Sequence, residues 1–396
     1  MTRIAIIGGG AAGCFCAIQI KRRCKNAEVH IFESKRQLLA KVAVTGGGRC
    51  NLTNSFADVK NLKDVYPRGE KLMRRALTAF SHNDAMAWWE REGVRLTVQE
   101  DNCVFPQSQD AMEIVGTLTR LISRLDIRIH LNHKVENIDS NAWDRTVVTT
   151  GGHPTPQGFA MLQPLGLRIE TPVPSLFTLN VAGDWHQRLM GTVVKDVQAM
   201  IAGTKFKAQG DLLLTHWGMS GPAILRLSSY AARHLAEHDY KCRIAINWLG
   251  DAGEDEAHHI VSRLMSSQSQ KLVTSAWPQR FVSKHWEMLL QRANVPPTQR
   301  WGALNAKQAN RLCATLTADA YEVTGKCAFK EEFVTCGGVS LKEINPNTME
   351  ARRYEGLYFA GEVTDVDAVT GGFNLQAAWS MAYVAAESIA KSLEQG

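Results

Sequence analysis

The stretch that decides the fold is Arg3-Ile-Ala-Ile-Ile-Gly-Gly-Gly-Ala-Ala-Gly13. It opens as a short buried strand over Arg3 to Ile7, because apolar side chains follow one another without polar alternation. Ala11 to Arg22 then reads as a helix whose apolar face carries Phe15, Ala17, Ile18 and Ile20. Between the two stands Gly8-x-Gly10-x-x-Gly13. Gly8 allows the tight turn, Gly10 lets the backbone approach a pyrophosphate, and Gly13 lets the helix pack close to the strand. The phosphates are then expected on the helix N-terminal amides, around Ala11 and Ala12. A second strand, Glu28 to Glu33, ends in a carboxylate twenty residues after Gly13, where an acid accepts hydrogen bonds from an adenosine ribose. Strand, glycines, helix, strand and terminal acid in this order predict a dinucleotide-binding unit, without yet separating NAD from FAD.

The far end of the chain separates them. GLYFAGEVTDVDAVTGGFNLQAAWSMAYVAAESIA reads as a strand over residues 357–360, a loop rich in glycine and acid, and an apolar helix. In flavoproteins an acid in such a loop holds the ribityl and phosphate region, and the next helix N-terminus faces the electron-rich edge of the flavin. Asp365 is the expected acid, with Gly361 and Glu362 before it and Gly371, Gly372, Phe373 and Asn374 at the helix entrance. A plain dehydrogenase needs no such element, so the expected cofactor is FAD.

Two inner segments point to the same ligand. After Lys41 runs VAVTGGGRCNLTN, in which Gly46, Gly47 and Gly48 remove side-chain bulk while Arg49, Asn51 and Thr53 offer donors. A backbone of this kind approaches a planar ring; the competing reading is a surface glycine loop. Arg49 suits the charge of a reduced flavin or of an anionic substrate, against a plain loop salt bridge. Val147-Val148-Thr149-Thr150-Gly151-Gly152 reads as the return strand of the cofactor fold, ending in a glycine turn. Thr150, Gly151, Cys50 and the upstream Val135 complete the expected contact set.

From about Ser175 to Ile246 short alternating strands predict a sheet or barrel, including Leu176 to Val181 and Asp211 to Leu214. From about Asp251 to Ala320 the periodicity turns helical, with Pro296 and Pro297 breaking two helices. Trp88 and Trp89 belong to an amphipathic helix and are read as core rather than as a base-stacking platform.

Flavin chemistry moves a hydride, so reduction of a C=C bond also needs a proton donor. His216 and Ser220 in Thr-His-Trp-Gly-Met-Ser-Gly-Pro222 are candidates presented on a tight turn, with a structural histidine as the competing reading. Cys50 and Cys336 lie in glycine-bordered loops; a thiol protonates a carbanion-like centre, whereas an inert buried cysteine is the simpler reading.

Together GGGAAG, TGGGRCNLTN, VFPQSQDA, THWGMSGPAIL, TCGGVSLKEINPNTMEA and GEVTDVDAVTGGFNLQAAWS resemble the BaiN/YhiN family of NAD(P)/FAD-dependent flavoproteins over nearly the whole chain. The resemblance implies an α/β fold: a discontinuous, Rossmann-like, two-dinucleotide-type FAD domain (1–180 and 336–396), an inserted β-barrel (181–250 and 321–335) and a small helical subdomain (251–320). It also implies reductive chemistry on unsaturated substrates, including a uridine of large-subunit ribosomal RNA. The sequence departs from the family in a shortened segment from Asn141 through TTGGHPTPQGFAML. Ala368 and Val369 also replace a small-acidic pair, and Phe373 a frequent tyrosine. These changes leave FAD binding intact and put the substrate in doubt.

The 396 residues carry 45% hydrophobic and 21% charged side chains and a net charge of +6, an ordinary globular balance that leaves an anionic partner open. Nine scattered cysteines without CxxC pairs or histidines at metal spacing are expected as reduced thiols, with no metal site. The N-terminal apolar run is too short for a signal-peptide core and no stretch reaches a membrane span, so a cytoplasmic protein is expected. Only one complete fingerprint is present, so the expected electron donor is NAD(P)H visiting transiently, with no domain of its own, or another donor in its place. The favoured reading is an NAD(P)H-driven FAD reductase of an unsaturated acceptor, a small molecule or a ribosomal RNA uridine. The rivals are an RNA-binding factor with structural FAD and an oxidase of small amines or hydroxy acids.

Overall fold

The computed structural model describes residues 2–139, 142–327 and 334–394; Asn141 and residues 328–333 of the expected barrel return lie outside the described residues. The chain divides into two units, Met1–Pro174 with Val334–Gly396, and Ser175–Phe333.

The first unit is built on a five-stranded parallel sheet in the order Leu357–Phe359, Arg145–Val148, Arg3–Ile7, Glu28–Phe32, Arg128–His130. The expected strands form, each within a residue or two of its predicted bounds. The central strand pairs Ile7 with Phe32 on one side and with Val148 on the other, and Val148 in turn pairs with Phe359. The chain therefore leaves the middle of the sheet at Gly8 with Glu33, Thr149 and Ala360 ending beside it. That is the crevice at the carboxyl ends of parallel strands where open α/β sheets bind ligands.

Helix Ala11–Arg23 packs on the 22-residue helix Phe373–Glu394, because both are apolar nearly all round. Phe15 touches Phe80, Trp88 and Trp379 at ring-centroid distances of 5.5, 4.8 and 5.4 Å. Trp88 and Trp89 are buried in this core, as the periodicity indicated. Trp143 folds back over His30, and Val135 lines a cavity of about 270 Å³ with Ala5, Ile7, Phe32 and Trp143.

In the second unit six strands close a barrel: Val193–Ile201, Lys207–Leu214, Gly218–Ser220, Leu179–Val181, Asp319–Lys326 and Cys242–Asn247 in ring order. Helices Glu254–Ser267, Ser283–Arg292 and Ala306–Ala318 do not build a core of their own. Their Val261, Trp286, Leu289, Leu312 and Leu316 join Ile244, Ile246 and Tyr321 of the barrel in one apolar cluster.

Candidate functional site

The glycine fingerprint shows three different local demands. A Cβ on Gly8 would lie 2.4 Å from the Thr149 carbonyl oxygen, and one on Gly13 would lie 1.9 Å from the Gly8 carbonyl oxygen. These two glycines serve the turn and the helix–strand approach. A Cβ on Gly10 would meet nothing within 4 Å. Gly10 is the helix N-cap, with no side-chain cap bond and no acid in the first turn, so the amides around Ala11 and Ala12 keep their unmet donor capacity and the positive end of the dipole. Open space in front of uncapped amides is what a pyrophosphate needs, and the residues present fit FAD at this point.

Glu33 sits beside that entrance. Its carboxylate accepts from the Gly9 amide (2.8 Å) and the Lys35 amide (2.8 Å), which fixes it at the end of its strand. Thr149, absent from the expected set, locks the other side: its hydroxyl donates to the carbonyls of Ile7 (3.1 Å) and Gly8 (2.9 Å). Thr150 and Gly151 follow directly.

Of the expected acids of the C-terminal loop, Glu362 follows directly on Gly361, which abuts the fingerprint. Gly361 abuts Ala12, where an added Cβ would come within 2.9 Å of the alanine methyl. Glu362 accepts from the Thr335 amide (2.8 Å) and from Lys41 Nζ (3.2 Å). The half-buried Asp365 donates its amide to the Val339 carbonyl (3.0 Å), and Asp367 is buried in an ion pair with Arg68. Three acids of one loop thus take three roles, and alternation alone does not rank them.

The glycine loop at residues 46–48 turns in the left-handed region, with φ of 62°, 69° and 81° at Gly46, Gly47 and Gly48. It presents an exposed Arg49, which donates to the Gly46 carbonyl and stacks its guanidinium 4.5 Å from the centre of Phe105. Asn51 ties this loop to the C-terminal one: its amide donates to the Thr53 carbonyl (2.9 Å) and accepts from the Gly372 amide (3.2 Å). Gly372 cannot carry a side chain, because a Cβ would lie 2.2 Å from the Thr53 carbonyl oxygen. Asn54 donates to the Gly371 carbonyl (3.1 Å) and Tyr66 to that of Phe373 (2.9 Å). Asn374 exchanges two hydrogen bonds with the backbone of Ala368 (2.9 and 3.0 Å), which makes it a loop clamp rather than an open ligand donor. Phe373 is buried against Phe56 and Tyr66. The fingerprint thus adjoins Glu33, Thr149 and Gly361, and Asn51, Asn54 and Tyr66 join the first half of the chain to the loop at Gly371–Phe373, whereas Val135 lines a separate cavity beside Ala5 and Phe32.

The expected proton donors fare differently. Cys50 is fully buried, and desolvation pushes its thiol up to about 12, which leaves it a poor acid at neutral pH. Cys336 is likewise buried, inside strand Val334–Val339. Burial at both positions favours the inert cysteine, the simpler of the two readings from sequence. His216 and Ser220 belong to the barrel unit, where His216 is exposed on the turn before Gly218–Ser220 and the Ser220 hydroxyl accepts from Thr178 (2.8 Å). For metals, the described residues bring only His234, Glu237 and His238 within 4.8 Å of one another, partly exposed on the second unit.

A parallel sheet with an open, uncapped phosphate seat and an apposed second loop defines a flavin-dependent oxidoreductase with a Rossmann-type nucleotide domain. The chain belongs to the HI0933-like protein Rossmann domain family, which matches residues 2–388. It is 26% identical over 416 residues to a 3-dehydro-bile acid delta(4,6)-reductase of Clostridium scindens, covering 99% of this chain and 100% of that protein. It is 29% identical to a ribosomal RNA dihydrouridine synthase of Escherichia coli, covering 97% of each. Among solved structures, 3-ketosteroid delta1-dehydrogenase from Sterolibacterium denitrificans aligns with a TM-score of 0.49 and 11% identity, over 99% of this chain and 100% of that one. No helix among the described residues is long and apolar enough to cross a membrane.

Proposed function

We propose that this protein is an NAD(P)H-driven reductase that adds two hydrogens across a carbon–carbon double bond, and that its acceptor is a uridine of large-subunit ribosomal RNA. The observation that carries the reductase reading is the phosphate seat: a glycine N-cap with free space in front of it, flanked by Glu33 and Glu362. FAD bound there supplies hydride transfer. The names of both relatives describe hydrogen addition to an unsaturated ring, in a bile acid and in uridine. The uridine reading is supported by the chain's positive balance and by the likeness to a ribosomal RNA dihydrouridine synthase.

The chain's own residues have definable parts. The amides around Ala11 and Ala12 would hold the pyrophosphate of FAD, and Glu33 would accept hydrogen bonds from its ribose. Glu362, its carboxylate held by Lys41, or Asp365 would serve the ribityl side. The Asn51–Gly372 contact fixes the spacing of the two loops that would flank the flavin ring. Overall one hydride and one proton enter the substrate while NAD(P)H becomes NAD(P)+, so the reaction balances without oxygen. Cys50 takes no part in the proton step.

The test is an anaerobic titration of the purified yellow protein. NADPH or NADH bleaches the flavin absorbance, and an unmodified ribosomal RNA transcript restores it with formation of dihydrouridine. A flavin that neither nucleotide bleaches, or that no unsaturated acceptor reoxidises, overturns the reading. Reoxidation by a steroid-type enone but not by RNA moves the substrate to small molecules.

A further inference from the structure

Resting on the uridine reading above, we propose that the exposed cationic segment from Lys60 to Arg75 is the surface that holds the phosphate backbone of the substrate RNA. Residues 58–75 hold five exposed cations, Lys60, Lys63, Lys71, Arg74 and Arg75, beside Arg68, whose charge is met by Asp367, against three carboxylates, Asp58, Asp64 and Glu70. Those carboxylates are partly spent: Asp58 accepts from Asn102 (2.5 Å) and Glu70 pairs with Arg74. On helix Glu70–Ala79, Leu72, Met73 and Ala76 are buried, whereas Lys71, Arg74 and Arg75 are exposed along the opposite face. Lys71 and Arg75 lie one turn apart, about 5–6 Å along the axis. Lys60, Lys63 and Lys71 are exposed and have no carboxylate partner among the described residues.

What distinguishes this patch from a solvated helix face is its attachment. Arg68 pairs with the buried Asp367, Tyr66 donates to the Phe373 carbonyl (2.9 Å), and the Val369 amide donates to the Val65 carbonyl (2.9 Å). Gly69 packs so closely on Val366 that a Cβ would lie 2.6 Å from its side chain. Four successive contacts thus fasten the cationic segment to the loop that leads to Gly371 and Gly372. A polyanion lying on Lys60 to Arg75 is registered against the cofactor crevice. Phosphate contacts set position and register, and in RNA the base itself is splayed out for chemistry.

The experiment uses the full-length, flavin-loaded protein and an unmodified large-subunit ribosomal RNA transcript. Binding is measured across a salt series for the wild type, for Lys71→Gln/Arg74→Gln/Arg75→Gln and for Lys71→Gln alone, the last guarding against misfolding of the triple variant. Single-strand binding loses about 0.7 in log–log salt slope per phosphate contact, so the triple variant should shed roughly 2 and the single variant roughly 0.7. RNA-driven reoxidation of the reduced flavin should weaken in parallel, while reoxidation by ferricyanide stays unchanged. Unchanged RNA affinity and slope in both variants, with a wild type that binds, overturns the proposal. RNA that binds through these residues but does not reoxidise the flavin leaves the surface standing and removes the uridine-reductase reading. A wild type that does not bind RNA removes both.

Discussion

Gly10→Ala separates the cofactor seat from the fold. Gly10 has φ −85° and ψ −165°, an extended conformation open to alanine, and its added Cβ would touch no protein atom within 4 Å. Replacing glycine at a compatible position removes unfolded-chain entropy worth about 0.4–1 kcal/mol, so the apoprotein should melt at the same temperature or one to three degrees higher. The same methyl group projects into the space left for the pyrophosphate. Overpacking of that kind costs about 1–3 kcal/mol, and at roughly 1.4 kcal/mol per tenfold change in Kd this is about 5- to 150-fold weaker FAD binding. The assay pairs a thermal melt of the apoprotein with FAD titration by absorbance or equilibrium dialysis. Gly13→Ala is the control that must behave otherwise: its Cβ meets the Gly8 carbonyl oxygen at 1.9 Å, so melting temperature and FAD affinity fall together. The reasoning fails if Gly10→Ala binds FAD as the wild type does, or if it loses the fold.

Other perturbations follow from single contacts. Gly372→Ala drives a methyl group to 2.2 Å from the Thr53 carbonyl and should lower both the melting temperature and flavin occupancy, read by differential scanning fluorimetry and by the absorbance ratio of flavin to protein. Arg68→Met leaves Asp367 buried without its ion pair, a change worth about 3–5 kcal/mol of stability that urea unfolding will register; a loss under 1 kcal/mol would contradict the burial. His285 is buried with neither ring nitrogen bonded, and desolvation pushes it down to about 4. The unfolded imidazole, near 6.5, takes up a proton that the folded one refuses. Stability is therefore complete above about pH 6.5 and falls as the pH drops toward 4, by about 2 kcal/mol at pH 5. His285→Phe should flatten that acid limb in urea midpoints measured between pH 5 and 7, and an unchanged slope would refute it. Cys50→Ala should leave anaerobic bleaching and reoxidation rates unchanged, since burial raises the thiol to about 12 and makes it a poor acid at neutral pH; a large loss of rate with full flavin occupancy would restore it as a donor.

The phosphate seat was legible in the sequence because its chemistry is local: Gly8, Gly10, Gly13 and Glu33 lie within one strand–helix–strand unit, and each spacing has a backbone reason. The C-terminal loop was legible as a ligand loop but not in its division of labour. Which of Glu362, Asp365 and Asp367 faces the fingerprint depends on Thr335, Val339 and Arg68, all distant in the chain. Asn374 reads as a donor in sequence, yet its bonds close on Ala368, six residues before it, because the loop turns there. The barrel itself was expected and forms, but which strands close it was not legible. Leu179–Val181 pairs with Gly218–Ser220 and with Asp319–Lys326, and no periodicity announces a partner so far along the chain. The helical segment read as a separate body because its spacing changes at Asp251, although its apolar face covers the barrel.

The central sheet takes its middle strand from Arg3–Ile7 and an edge strand from Leu357–Phe359, and the loop with Gly371 and Gly372 comes later still. During synthesis the opening fingerprint therefore waits for almost the whole chain before its crevice has a second wall. At about 5–20 residues per second, the interval is on the order of tens of seconds. The barrel unit has its complete set of strands before that wall is translated. A ribosome that stalls after the barrel releases a polypeptide carrying the glycine motif but no seat for the ring. Yellow colour in a preparation is then a receipt for a finished chain, and truncated products are sorted from complete ones by flavin retention alone.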